Sequence, residues 1–457
     1  MKTINFYICA FAVVIATASL FSCSQTEYII EDEAPKHSSR VSVIELLEQK
    51  PVSLHATLSN EEQVALRVQK KGTYRISEIE AVQSLERFAA NDGNSTLRTK
   101  SVNLKKSSKT GKDLYYEVVF EGKKGTGFAM LSADERADNM LCYTEVGSIS
   151  DTSFIKNMKF CLELIDLYVE EQTKVDLNID VLALSANSKL AASGRSITKE
   201  TNEVTLRNIP AFDPNIWTYA GSVYNSTLRE RIKQVEGGWH QDEPFNNLLD
   251  NIGALTKNRR AWVGCQMIAV SLIMAYHKRP FGGYISTNDW ASIINDPEHS
   301  ALLQLLMRDL HNAMYTERTI SYTESTNSIA QLFLNNNGYT AGPNVNYSFN
   351  TMWDALQYGP NIMRGESPNS GRHAWAVEGV RYNDVVSYDL WTYNYNGKIL
   401  EYQDNYMAFT NGKQVRCDWG WKGGVKTWCS DNVFKFVDLL GVSNDFNSNL
   451  QMLSYIK

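Results

Sequence analysis

The pattern of apolar and polar positions divides the chain into two structured stretches separated by a polar one. In the first, Ser77–Asn91 puts Ile79, Val82, Leu85 and Phe88 on one helical face, with Ser77 placed to cap the free amide hydrogens of the first turn. Val41–Glu48 reads as another helix, and Ser153–Val169 as an amphipathic one. Between them Tyr115–Phe120, Gly127–Ser132 and Met140–Val146 are short apolar runs punctuated by Gly and charge, the signature of strands. The Ser/Lys-rich stretch 99–112 is expected to be a basic loop. Together these predict a compact α+β unit.

From Leu184 to about residue 204 the chain is small, polar and partly basic, without an apolar period, which predicts a protease-sensitive linker. The second structured stretch opens with irregular Trp- and Pro-containing segments. It continues into an apolar helix starting at Cys265 and a helix around Ala301–Tyr315, and ends in a strand- and turn-rich half.

A length of 457 residues is enough for two to three full cores, and 43% hydrophobic with 21% charged residues is an ordinary globular balance. The net charge of −6 and the lack of a Lys/Arg block argue against nucleic acid as a partner. The N-terminus departs from this globular pattern. Lys2, the apolar Ile8–Leu20 and the sequence Leu20-Phe21-Ser22-Cys23 resemble a bacterial lipoprotein signal, with ordinary secretion and nearby cleavage as the plainer alternative. The implied layout is a signal over 1–23 and a tether over 24–40. The protein would be exported and anchored by lipid to the outer membrane or cell surface without spanning a membrane.

Beyond Cys23 five cysteines remain: Cys142, Cys161, Cys265, Cys417 and Cys429. An odd number in an exported protein leaves at least one free thiol. Cys417 with Cys429, and Cys142 with Cys161, are conceivable pairs. Neither paired CxxC nor His-x₃-His spacing supports a metal site, and no cofactor is implied.

Cys265 follows Gly264 at the mouth of its helix, where unpaired amide hydrogens and the helix dipole favour a thiolate. His373 opens a strand-like run, Gly371-Arg-His-Ala-Trp-Ala-Val377. A thiol and a distant histidine are the minimal equipment for thiol nucleophilic catalysis, although each alone is more often a packing residue. Upstream, Gln241 lies just before Pro244, where its side-chain amide can stabilise an oxyanion together with the Cys265 N–H. Downstream, in Cys417-Asp-Trp-Gly-Trp-Lys-Gly-Gly424, a carbonyl or carboxylate oxygen can orient His373 while an indole shields that bond. His240, His277, His299 and His311 read as structural or surface residues. Exposed Trp419, Trp421, Tyr393 and Tyr395 would also suit a carbohydrate platform.

Four segments, in this order, resemble the streptopain family of bacterial cysteine peptidases: Trp239-x-Gln241-x-x-Pro244-Phe-Asn246, Gly264-Cys265 with its apolar helix, Gly371-x-His373-Ala, and Trp419-Gly-Trp-x-Gly-Gly424. The N-terminal unit, notably Gly127–Asp134 and the helix near Ile79, resembles that family's inhibitory pro-domain. The resemblance implies an α+β fold: a papain-like catalytic domain over 205–457, with a helical lobe and an antiparallel β lobe. A small α+β pro-domain over 41–183 and a cleavable linker over 184–204 would precede it. It implies a zymogen of a cysteine endopeptidase acting on protein or peptide substrates, with its own pro-domain as intramolecular inhibitor. Cys265 would be nucleophile, His373 general base and acid, and Gln241 the oxyanion donor. Asp418 would stand in the place of the usual Asn, orienting the imidazole, and Trp419 would lie beside it. Between His373 and Trp419 the chain is longer than the family leads one to expect. The Tyr-rich excess, 382–409, contains a hairpin turn at Asn396-Gly397. Two other readings of the same residues are a catalytically idle surface-binding protein and a transpeptidase or amidase.

Overall fold

The computed structural model of the protein describes residues 40–42, 58–91, 96–147, 152–193, 215–234, 238–367, 370–395, 398–422, 426–434 and 450–457. The signal expected over 1–23 and the tether over 24–39 lie outside the described residues. Among those described, no helix is long and apolar enough to cross a membrane.

The short strand β1 (Arg40–Ser42) precedes α1 (Asn60–Lys71). The helix expected over 41–48 therefore meets a strand at 41 and 42, and its remainder lies outside the described residues. Helix α1 was not anticipated, yet its start is marked by a capping box. Ser59 Oγ accepts the Glu62 N–H, and the Glu62 carboxylate accepts the Ser59 N–H at 2.8 Å. Helix α2 (Glu78–Asn91) is followed by an antiparallel meander of β2 (Arg98–Lys106), β3 (Asp113–Gly122), β4 (Gly125–Ser132) and β5 (Met140–Thr144). The supposed basic loop is thus largely strand β2. Its lysines are exposed on an edge strand, where charge discourages pairing with another chain.

Helices α3 (Thr152–Gln172) and α4 (Ile179–Ser193) complete this unit. Residues 184–193, expected as linker, are helical. Ala-rich sequence favours helix without an apolar period, and Ser185 and Lys189 bind Glu62 of α1.

The second unit begins with β6 (Thr218–Ile232). A helical lobe follows: α5 (Cys265–His277), α6 (Asp289–Asn295) and α7 (Ala301–Met314). Next come the small hairpin β7 (Glu317–Arg318) and β8 (Thr323–Glu324), then α8 (Asn327–Asn336). Strand β9 (Asn344–Asn346) and α9 (Phe349–Ala355) lead into β10 (Asn361–Ser367), β11 (Gly371–Tyr395), β12 (Lys398–Asp418), β13 (Lys426–Ser430) and finally β14 (Gln451–Leu453).

Helix α5 is apolar on nearly every side because it is surrounded, buried among Trp239, Trp290, Leu306, Leu310 and Leu334. Apart from the β7–β8 hairpin, the described strands form one sheet in the order β2-β3-β4-β5-β13-β12-β11-β10-β14-β9, with β6 on β11 and β1 parallel to β12. The two units meet inside this sheet, where Tyr143 pairs with Trp428 and Cys142 with Cys429. A common core covers the joint, with Phe128, Met130, Leu164 and Ile165 packed among Trp375, Val415 and Trp419. Arg381, 3% exposed, lies 4.3 Å from the Phe88 ring and 3.9 Å from the Trp428 ring, a cation between aromatic faces of the two units.

Strands β11 and β12 form a long ribbon whose register continues to Tyr395 opposite Lys398; the turn at 396–397 itself lies outside the described residues. The Tyr-rich excess is this ribbon, with β6 as its third strand.

The α5 helix is seated against the sheet partly through Ile268, whose side chain would lie 2.8 Å from a Cβ placed on Gly420. Since Gly420 also has φ +65, only glycine fits there. Ile268→Ala should lower stability by about 2–5 kcal/mol, as for other buried aliphatic truncations. Urea denaturation of the full chain measures this; a shift below 1 kcal/mol would mean the seat collapses without cost.

Candidate active site

Cys265 is the first residue of α5. Its helix enters through Gly264, whose φ of 105 excludes side-chain-bearing residues, and where a Cβ would also meet Met267 Sδ at 2.8 Å. The glycine therefore answers a backbone requirement of the helix entry. Cys265 Sγ accepts the backbone N–H of Ala374 at 3.3 Å. The residue next to Ala374 is His373, so the first turn of α5 and the start of β11 bring thiol and imidazole segments together.

His373 Nε2 lies 3.0 Å from the backbone carbonyl of Trp419. A carbonyl can only accept, so Nε2 carries the proton, and the neutral ring keeps its lone pair on Nδ1. The indole of Trp421 stacks over the imidazole at 5.1 Å and 14°, with Trp375 and Trp419 at 6.0 and 6.3 Å. The shielding indole predicted from the sequence is thus chiefly Trp421. Trp419, 1% exposed and donating its Nε1–H to Thr427 at 2.8 Å, has no face for a sugar.

The oxygen that orients His373 is the Trp419 carbonyl rather than the Asp418 carboxylate. Asp418 is 1% exposed; its Oδ1 accepts the Gly420 N–H at 3.0 Å and its Oδ2 lies 3.5 Å from Lys426 Nζ. Burial raises its pKa, which Lys426 opposes. With Glu378, Arg416 and Lys426 it forms an enclosed charge cluster on β11–β13. Asp418 shapes the turn that presents the carbonyl; the side chain to which the resemblance pointed lies one residue before the oxygen that makes the bond.

Gln241 is buried, and its backbone carbonyl accepts the Val263 N–H at 3.1 Å, which ties its segment just ahead of Cys265. His240 is buried with Nδ1 accepting the Asp242 N–H and an edge contact to Phe245 at 4.7 Å, a packing role. His311 is likewise buried and His277 half-buried, while His299 is exposed beside Asp296.

Sequence reading passed over two further residues. Arg364 on β10, held by Glu324 at 2.9 Å, supplies positive potential toward Cys265. Phe160 of α3 reaches across from the N-terminal unit to lie 5.7 Å from the His373 ring, 5.5 Å from Trp375 and 6.3 Å from Trp419. Glu163, one turn on, accepts hydroxyl hydrogens from Ser367 at 2.8 Å and Ser370 at 2.6 Å. The amphipathic period located α3, but a period does not say which lobe its apolar face will cover.

Burial pushes the Cys265 thiol above its ordinary value, against the pull of the Ala374 N–H and Arg364. Burial likewise holds His373 down to about 4, opposed by its bond to Trp419. The pair therefore rests as thiol and neutral imidazole.

Residues 239–428 match the model of the peptidase C10 family, and residues 74–169 match that of the Spi protease inhibitor. The chain thus carries a segment similar to the C10 peptidases behind one similar to the Spi protease inhibitor. Among solved structures it is similar to a fragment of prointerpain A from Prevotella intermedia, at 18% identity and a TM-score of 0.44, over 78% of this chain and 98% of that one. No curated protein matches it. The C10 segment contains Cys265, His373, Trp419 and Gln241, and the inhibitor-like segment contains Phe160 and Glu163. A peptidase-family domain behind an inhibitor-like domain is the layout of a zymogen.

Two outcomes follow from the buried contact between the domains. Phe160→Ala, which removes a buried aromatic worth about 3–5 kcal/mol, should weaken docking of the inhibitor-like domain; faster proteolytic loss of residues 58–193 from the full chain measures it. His373 titrates near 4 when folded against about 6.5 when unfolded. The unfolded chain then binds more protons between these values, so stability is full above pH ~6.5 and falls as pH drops toward 4. His240, also lowered to about 4 by burial, acts in the same direction. The melting temperature should fall from pH 7.5 to 4.5, and His373→Gln should flatten part of that slope; an unchanged slope would mean that His373 does not titrate as a buried group.

Proposed function

We propose that the chain is the zymogen of an exported cysteine endopeptidase, with Cys265 as nucleophile and His373 as general base and acid. The observation that carries this reading is the Ala374 N–H on Cys265 Sγ beside an imidazole fixed through Nε2 by the Trp419 carbonyl. That tautomer leaves Nδ1 as the ring atom able to take the thiol proton.

Removal of α3 would return water to the site and relieve the desolvation that keeps both groups neutral. The thiolate then attacks the scissile carbonyl, and the Cys265 N–H with the Gln241 amide holds the oxyanion. His373 delivers its proton to the leaving amine, and water deprotonated by the same ring releases the acyl group. Asp418 acts as a positioning residue for the Trp419 carbonyl. Trp421 keeps water from the His373–Trp419 bond. Export with a lipid anchor rests on the N-terminal sequence.

The test is hydrolysis of a quenched fluorescent peptide library by the chain after limited proteolysis within 194–214. Cys265→Ala should abolish turnover, and Gln241→Ala should lower kcat by about 10²–10³-fold, the usual effect of losing one oxyanion donor. Full turnover by the Cys265→Ala protein would overturn the proposal.

A further inference from the structure

Four cysteines outside the catalytic pair gather where the two domains join. Cys142 (β5) and Cys161 (α3) come from the inhibitor-like domain; Cys417 (β12) and Cys429 (β13) come from the C10 domain. None is bonded in this structure, and none is more than 2% exposed. The sulfurs of Cys142, Cys161 and Cys429 all lie within 4.8 Å of one another, and Cys161 Sγ is 3.5 Å from Cys429 Sγ. The in-domain pair Cys417–Cys429 suits this register poorly. Val415 is opposite Cys429 and Cys417 is opposite Thr427, so the two are diagonal neighbours, about 7–8 Å apart.

We propose that Cys161 and Cys429 form a disulfide that joins the inhibitor-like domain to the C10 domain, so that cutting the chain between them does not by itself free the inhibitor. Cys142 also lies across the joint, but it sits directly opposite Cys429 on paired strands. Such residues have Cβ atoms about 4.5–5.5 Å apart, whereas a disulfide needs about 3.5–4.5 Å. Cys161 approaches from the helix layer and is free of that spacing.

A thiolate-bound metal is the competing use of such a cluster. Four thiolates around a divalent cation would leave two net negative charges in an apolar core. The carboxylates flanking β13 are Asp431, buried and bonded to Tyr347, and Asp138, half-buried and bonded to Ser430 and Asn432. Adding anionic charge there is costly, while a disulfide is neutral and apolar.

The chemistry is thiol–disulfide exchange with a small-molecule disulfide or a dithiol oxidase disulfide as oxidant. One protein thiolate attacks the oxidant's S–S bond, giving a mixed disulfide and one released thiol. The second protein thiolate attacks the protein sulfur of that bond, forming Cys161–Cys429 and releasing the second thiol. Two electrons pass to the oxidant, which becomes two thiols. The enclosed sulfurs are reached as the domains come together in folding.

The cross-link rests on geometry; its role in holding the inhibitor rests on the zymogen reading. The test therefore uses full-length Cys265→Ala protein, whose result does not depend on peptidase activity. It is refolded in a glutathione/glutathione disulfide buffer, nicked with trypsin, which has Arg195 and Lys199 available in the connecting sequence, and run without reductant. We expect the two fragments to remain joined until dithiothreitol is added, and peptide mapping to return a Cys161–Cys429 species. Cys161→Ser should lose the joined band, and Cys417→Ser should keep it. The mapping on otherwise unaltered thiols stands even if a cysteine variant fails to fold. Fragments that separate without reductant, a map showing only Cys142–Cys161 or Cys417–Cys429, or uptake of one equivalent of Zn²⁺ by the refolded protein that blocks oxidation would each overturn the proposal.

Discussion

The sheet that runs through both domains depends on a shared apolar core at the β5–β13 joint. Trp375, Trp419 and Phe434 sit on the C10 side of this core; Phe128, Met130, Leu164 and Ile165 close it from the other. Large aromatic surfaces of this kind are stable only when covered, since each buries some 150–250 Å². The inhibitor-like domain is accordingly part of the packing of this state.

That shared burial also sets the electrostatics of the site. A thiol and an imidazole in water would be ready to exchange a proton near neutral pH; excluded from water, both prefer their uncharged forms. Phe160 of α3, packed on the His373 ring, contributes to that exclusion on the imidazole side. The tautomer of His373 is fixed by a backbone carbonyl, so this part of the geometry survives any substitution that preserves the 418–420 turn.

How much of this was legible in the sequence varied with the range of the interaction. The α5 helix was readable because Cys265–His277 is an unbroken apolar run behind a glycine. The ribbon was readable because Asn396-Gly397 is flanked by strand-forming residues. Strand β2 was missed because its exposed lysines outnumber Val102 and Leu104, and an edge strand needs little apolar alternation. The contact of Phe160 with His373 spans two domains and leaves no mark in local periodicity. The role of Trp419 fell to its backbone, which no residue type announces. Asp418, adjacent in sequence, looked chemically fit for the task and serves instead to hold the turn.

The placement of β6 has a consequence for any cut between α4 and the catalytic half. This strand is paired along β11 from Thr218 to Ile232, so a new chain end just before it would already be fastened to the enzyme. Severing the connection would leave the enzyme's architecture as it was and alter the kinetic order of inhibition. While the chain is continuous, a displaced α3 would return to its place against His373 as a first-order event, at an effective concentration that short tethers typically set in the millimolar range. Once it is cut, and with nothing else holding the pieces, return becomes second order and depends on dilution.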